Sequence, residues 1–136
     1  MIAPLTADDV DDAVALWTEA DLTRPWNDAA GDFLRAVGGP SSVVLGIRAD
    51  GDLIGSAMVG HDGHRGWVYY LAVAKSARGR GLGKQLMDAA ESWLVERGLP
   101  KIQFMVRTDN TAVLDFYDHL GYARQDVLVL GRRLDG

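Results

Sequence analysis

Arg78-Gly79-Arg80-Gly81-Leu82-Gly83-Lys84 stands between an apolar run, 67–73, and a segment of helical periodicity over 81–97. Glycines let successive backbone N–H groups converge on one concavity with no Cβ in the way. A helix beginning there adds its own unpaired N–H groups and the positive end of its dipole. Arg78, Arg80 and Lys84 add charge, so the stretch has the chemistry of a diphosphate cradle. Two common cradles fail on spacing. A P-loop needs glycine five residues before its Gly-Lys pair and a hydroxyl residue after it, where this chain has Arg78 and Gln85. A dinucleotide fingerprint needs G-x-G-x-x-G, and the third glycine here comes one residue early.

The flanks supply the rest of a fold. Branched apolar runs over 42–48 and 53–59 enclose Asp50-Gly51, a strong hairpin signal. A Gly-rich loop at 61–66 leads from that hairpin into the strand before the cradle. Upstream lie a short strand over 2–5, a helix over 7–20 with Thr6 as its cap, and a second helix over 28–37. Leu82, Leu86, Ala89, Ala90, Trp93 and Leu94 form the apolar face of the long helix, which Gly98 and Pro100 stop. Downstream come a strand over 101–106, a helix over 110–119 ended by Gly121, and two closing strands over 122–125 and 127–132. The order β-α-α-β-β-β-α-β-α-β-β predicts an α/β fold: one mixed, mostly antiparallel sheet with helices on both faces.

A length of 136 residues fits one domain, 1–136. Hydrophobic residues make up 48% and charged residues 24%, which excludes wholesale disorder. The chain has no cysteine, which removes disulfides, thiolate metal sites and a cysteine nucleophile. His61, His64 and His119 match no metal motif, so no metal is expected. A net charge of −5 argues against broad nucleic-acid binding, and no apolar run reaches the ~18 residues of a membrane span. With no signal-peptide pattern, a cytoplasmic location is expected. Residues 75–84 hold four basic side chains and no acid, leaving 10 basic and 19 acidic residues elsewhere. A basic island in an acidic chain suggests a local anion site, though a solvated basic turn would carry the same charges.

The spacing that fits is Arg-x-x-Gly-x-Gly after Tyr69-Tyr70-Leu71-Ala72-Val73, followed by Asn110, Tyr117 and Gly121-Tyr122. With these motifs the chain resembles the GNAT family of acyl-CoA-dependent N-acyltransferases over nearly its whole length. Within that family, the stretches around 20–28, 62–71 and 126–134 look like a small bacterial YpeA-type group of acetyltransferases with no settled substrate. The resemblance implies acetyl-CoA as cosubstrate and coenzyme A as product. It maps pyrophosphate binding onto Arg78, Gly79, Arg80, Gly81, Leu82, Gly83 and Lys84. It maps pairing with the pantetheine arm onto the backbone of Leu71, Ala72 and Val73, whose side chains can still be core. Asn110 matches the family asparagine that helps hold that arm, and it is equally a natural helix cap. Tyr117 matches the family tyrosine near the coenzyme A sulfur, a general acid; the other reading is a tyrosine packed on the apolar face of its helix.

Transfer to an amine needs a neutral nucleophile, and only about one lysine-like amine in ~2,500 is neutral at pH 7. The resemblance offers two places for a glutamate base, but here they hold Trp67 and Met105, which accept no proton. His61, Asp62, His64 and Asp21 are the other candidates, each also readable as a solvated loop residue. Substrate selection in the family comes largely from the first two helices and the last hairpin. That points to Asp21, Arg24, Trp26 and Asn27, with His61 from the glycine-rich loop. Trp26 could instead plug the core. The expected acceptor is a primary amine of a small molecule or of a peptide or protein N-terminus, and the resemblance is compatible with a homodimer. Two further readings stand beside this one: an acyl-CoA-binding or sensing module without catalysis, and a nucleotide-binding domain built on the basic loop.

Overall fold

The computed structural model describes residues 1–135. The chain divides into two compact units, Met1–Met105 and Val106–Gly136. The first holds a five-stranded sheet in sequence order: β1 (Ile2–Pro4), β2 (Ser42–Ala49), β3 (Asp52–His61), β4 (Gly66–Val73) and β5 (Ile102–Gln103). Asp50 and Gly51 both take positive φ, 52° and 85°, as a type I′ hairpin turn requires, and join β2 to β3. Pairing is antiparallel from β1 to β4. Only β4 and β5 run parallel, because the helix α3 (Leu82–Glu96) carries the chain across between them.

Helices cover both faces of this sheet. On β3, Ser56 faces α1 (Val10–Glu19), where its hydroxyl accepts a 2.8 Å hydrogen bond from the Trp17 indole. The adjacent Gly55 faces α3, where a Cβ would lie 3.2 Å from Leu86. The α1 face buries Trp17 edge-on against Phe33 of α2 (Ala29–Gly38), with Ala13, Leu16, Ala36, Val44 and Ala72 around them. On the other face, Leu86, Ala90 and Leu94 recur every four residues and are all buried. Gly66 lies under Leu94 so closely that a Cβ would collide with that side chain.

Caps fix the helix ends. Asp28 accepts the Gly31 N–H at the start of α2. A short 3-10 turn, Ala7–Asp9, precedes α1, and the Asp9 carboxylate accepts the Thr6 N–H. At the end of α1 the Leu22 and Asp21 N–H groups return to Trp17 and Thr18, with Asp21 in the left-handed region at φ 60°. Gly98 and Gly121 close α3 and the fourth helix by the same bond pattern.

The second unit is built on α4 (Thr111–His119), capped by the Asn110 side chain, which accepts the Val113 N–H. Tyr117 packs edge-on to Phe116 and Tyr122. Two sequence expectations fail. The strand expected over 101–106 is only two residues long. No strand forms over 122–125 or 127–132 among the described residues, and Val127, Leu128, Val129 and Leu130 are exposed. Two short strands make at best a marginal hairpin without a third partner, and this unit offers none.

Candidate active site

The glycine loop leads into α3 where the sequence places it. Gly79 and Gly81 hold φ of 81° and 75°, open to glycine at no steric cost, and neither has an atom within 4 Å of where a Cβ would stand. Gly81 occupies the cap position of α3, no side chain caps the helix, and its first turn holds no acidic residue. With Arg78, Arg80 and Lys84 alongside, the start of α3 is locally basic. Arg78 is steadied by its Nε, which donates to the Val73 carbonyl at 3.3 Å; Arg80 donates to the Ser76 carbonyl at 3.2 Å. Lys84 instead pairs with Asp88 one turn along the helix, at 2.7 Å.

β4 carries an irregularity that the sequence does not announce. Met58 pairs with Tyr69 and Ser56 with Ala72, so Ala57 faces both Tyr70 and Leu71. This β-bulge puts Tyr70 at φ 52°, an uncommon value for a bulky residue. Three contacts hold it. Its ring stacks on Trp17 at 3.8 Å with the planes 8° apart, its carbonyl accepts from Ser56, and its hydroxyl donates to Asp32 at 2.8 Å. Ser56 is the only buried polar side chain among the described residues, and it links the Trp17 indole to the bulge carbonyl. Burial and the Asp32 carboxylate push the Tyr70 phenol well above its ordinary range. Parallel pairing with β5 stops at Trp67, so among the described residues the stretch with Leu71, Ala72 and Val73 pairs with no strand on that side.

A cleft of about 720 Å³ opens beside the bulge, between β3, β4 and the α1–α2 segment. Because the bulge breaks the strand's alternation, Tyr69 and Tyr70 both line it, together with Trp67. Met58 and Leu22 add apolar surface, and Asp32 and Arg35 stand on the α2 side, ion-paired at 2.7 Å.

Of the candidate acceptor residues, Asn27 and His61 line this cleft, whereas Asp21, Arg24 and Trp26 do not. Asp21 ends α1, Arg24 donates to the Asp21 and Thr23 carbonyls, and Trp26 is exposed, so it plugs no core. His61 sits at the rim, its ring 5.9 Å from Trp93 of α3 and its Nδ1 engaged by the Gly63 N–H. Asp62 accepts the N–H groups of His64 and Arg65, bonds that hold its carboxyl below the usual range. Those bonds make Asp62 a loop brace and a poor proton acceptor. Asn110 and Tyr117 belong to the second unit. Burial pushes the Tyr117 phenol up to about 12, so it is protonated at neutral pH. Tyr70 and Asp32 are missing from the sequence-derived set. The Tyr69-Tyr70 pair is the one signal that could have raised them, since consecutive aromatics in a regular strand face opposite ways.

Among the described residues no group of three or more His, Cys, Asp or Glu could hold a metal, and no helix is long and apolar enough to cross a membrane.

Comparison with known proteins identifies the family. An acetyltransferase of Yersinia pestis (strain Pestoides F) is 43% identical over 127 residues, 93% of this chain and 90% of the relative. An acetyltransferase of Yersinia pseudotuberculosis serotype I (strain IP32953) matches equally. Among solved structures, AAC(6')-Iy in complex with a bisubstrate analogue of coenzyme A superposes with a TM-score of 0.83 at 19% identity, covering 98% of this chain and 97% of its own. A ribosomal-protein-alanine N-acetyltransferase from Brucella melitensis biovar Abortus 2308 superposes with a TM-score of 0.78 at 22% identity, covering 98% and 99%. Residues 6–122 match the acetyltransferase (GNAT) family, and with that match over most of its length the chain belongs to the GNAT family as an acetyl-CoA-dependent N-acetyltransferase.

Proposed function

We propose that the acetyl group passes directly from acetyl-CoA to a primary amine of a small molecule or of a peptide or protein N-terminus. In this reading 1–136 acts as one catalytic domain in the cytoplasm, as a monomer or homodimer. The family match, which runs across the boundary between the two units, supports a single domain. The observation that carries the reading is the glycine loop at the uncapped start of α3, one short turn beyond a strand edge that has lost its partner.

The residues divide the work. The backbone of Gly79, Arg80, Gly81, Leu82, Gly83 and Lys84 takes the pyrophosphate, with Arg78 and Arg80 supplying charge. The β4 edge at Leu71, Ala72 and Val73 takes the pantetheine arm, helped by Asn110. The amine lone pair attacks the acetyl carbon, a C–N bond forms and the C–S bond breaks. A strand N–H steadies the carbonyl oxygen as it gains charge. The departing sulfur takes a proton from Tyr117, and the proton lost by the new ammonium returns through water to the Tyr117 oxygen, which restores the phenol. The apolar wall of the cleft favours the uncharged amine by desolvation, which supplies part of what a missing glutamate would do. Asn27 and His61 contact the acceptor at the rim; Asp21, Arg24 and Trp26 would meet only an acceptor that extends beyond the cleft.

The test is an amine panel with acetyl-CoA, followed by free-thiol release. Amine-dependent release is expected, and cofactor binding without release from any amine would favour a sensing module. Charge at the loop gives a second check. Arg78→Ala with Arg80→Ala is expected to weaken coenzyme A binding more than binding of its dephosphorylated pantetheine fragment, and added salt should narrow the difference. Calorimetry reads both affinities; equal weakening would put the anion site elsewhere.

A further inference from the structure

Asp32 is a cleft residue with no part in the transfer as described. It comes from the first turn of α2, and each carboxylate oxygen already accepts one hydrogen bond, from Arg35 at 2.7 Å and from Tyr70 at 2.8 Å. Its side chain is 32% exposed, enough for a ligand to reach the remaining lone pairs. Three aromatic residues, Trp67, Tyr69 and Tyr70, line the same cleft, and aromatic faces attract cations. Among the described residues Arg35 is the one arginine or lysine in the lining, and it is turned onto Asp32. Asp62 adds a second carboxylate. The lining thus offers a fixed anion and π-faces, with its guanidinium already paired.

The amine that reacts is a poor occupant of Asp32. A carboxylate partner raises an amine's pKa and holds it as the ammonium, which has no lone pair to attack with. A cation held there must be a different group of the same molecule. We infer that the acceptor is a di- or polycationic amine whose non-reacting ammonium is held by Asp32 against the Trp67, Tyr69 and Tyr70 wall. This rests on the cleft being the acceptor site of the proposed reaction. Asp32 is then a specificity-determining residue, and the bulge at Tyr70 is what turns the aromatic wall toward it.

Three probes of equal chain length separate the alternatives: 1,5-diaminopentane, n-pentylamine and 5-aminopentanoate, each assayed with acetyl-CoA for thiol release. The diamine is expected to exceed pentylamine in kcat/KM by tenfold or more, with aminopentanoate poorest. In Asp32→Asn, which can still accept from Tyr70, the ratio of diamine to pentylamine should fall below twofold. Should that variant fold poorly, Tyr69→Leu at an exposed ring is expected to reduce the ratio about two- to fivefold, the range of an exposed cation–π contact. Equal use of all three probes, preference for aminopentanoate, or no turnover of any would overturn the inference. So would an Asp32→Asn variant that slows diamine and pentylamine by the same factor, since that behaviour belongs to a general base. Coenzyme A titration of the same protein keeps the two levels apart. Intact cofactor binding and turnover of other amines without a diamine preference sinks only this inference; loss of both sinks the reading beneath it.

Discussion

Gly81→Val is expected to lower coenzyme A affinity by roughly 5- to 150-fold while moving the melting temperature little. Gly81 sits at φ 75° as the cap of α3. A β-branched residue held in the left-handed region costs about 1–3 kcal/mol, and at 1.4 kcal/mol per tenfold that is the stated range. No atom lies within 4 Å of the new Cβ, so nothing in the core resists and the free loop can relax away from the strained angle. The cost then falls on binding, when the ligand requires the loop amides back in their converging arrangement. Gly81→Asn separates conformation from obstruction, since asparagine tolerates this region better than other side chains. If asparagine retains affinity and valine loses it, the backbone angle is the cause. If both lose it, a side chain blocks the phosphate directly. Normal affinity in the valine variant would reduce the loop to an ordinary turn.

What made this loop legible is that its information is local. Glycines, the following helical period and the Asp50-Gly51 hairpin are each decided by a few consecutive residues, and the structure places α3 and the β2–β3 turn within a residue or two of where the sequence predicts them. The Asp28 and Asn110 caps are equally local. Features that depend on a partner were not legible. Residues 127–132 carry the composition of a strand, but a strand also needs an edge to pair with, and none forms there. The bulge at Tyr70 is a mismatch between Ala57 and two residues of β4, so no single stretch encodes it. Asp32 reads as an ordinary residue of an amphipathic helix, because its partner Tyr70 lies 38 positions away. The glycine loop proposed to take the cofactor, made of consecutive residues, was therefore readable in advance as a loop. Of the cleft assembled from α2, β3 and the bulged strand, the sequence reading named Asn27 and His61 and missed Asp32 and Tyr70.

Tyr117→Phe is expected to lower kcat by roughly 10- to 100-fold with little change in acetyl-CoA affinity. General acid catalysis is typically worth 10²–10⁴-fold, and a thiol leaving group with a pKa of ~8.5 needs less help than an alkoxide, which puts the loss toward the low end. Phenylalanine keeps the ring that packs edge-on to Phe116 and Tyr122, so α4 retains these aromatic contacts while the hydroxyl is removed. The donor acts as the sulfur departs, so its loss appears in turnover rather than in binding. The pH dependence gives an independent sign. An acid stops donating as pH rises through its pKa, and burial moves that point for Tyr117 up to about 12. The parent enzyme should therefore show no fall in kcat centred on the ordinary phenol value of ~10. Steady-state kinetics between pH 7 and ~10.5, on an amine found by thiol release, checks both statements. Unchanged kcat in Tyr117→Phe would return Tyr117 to a packing role and leave the departing sulfur to take its proton from water.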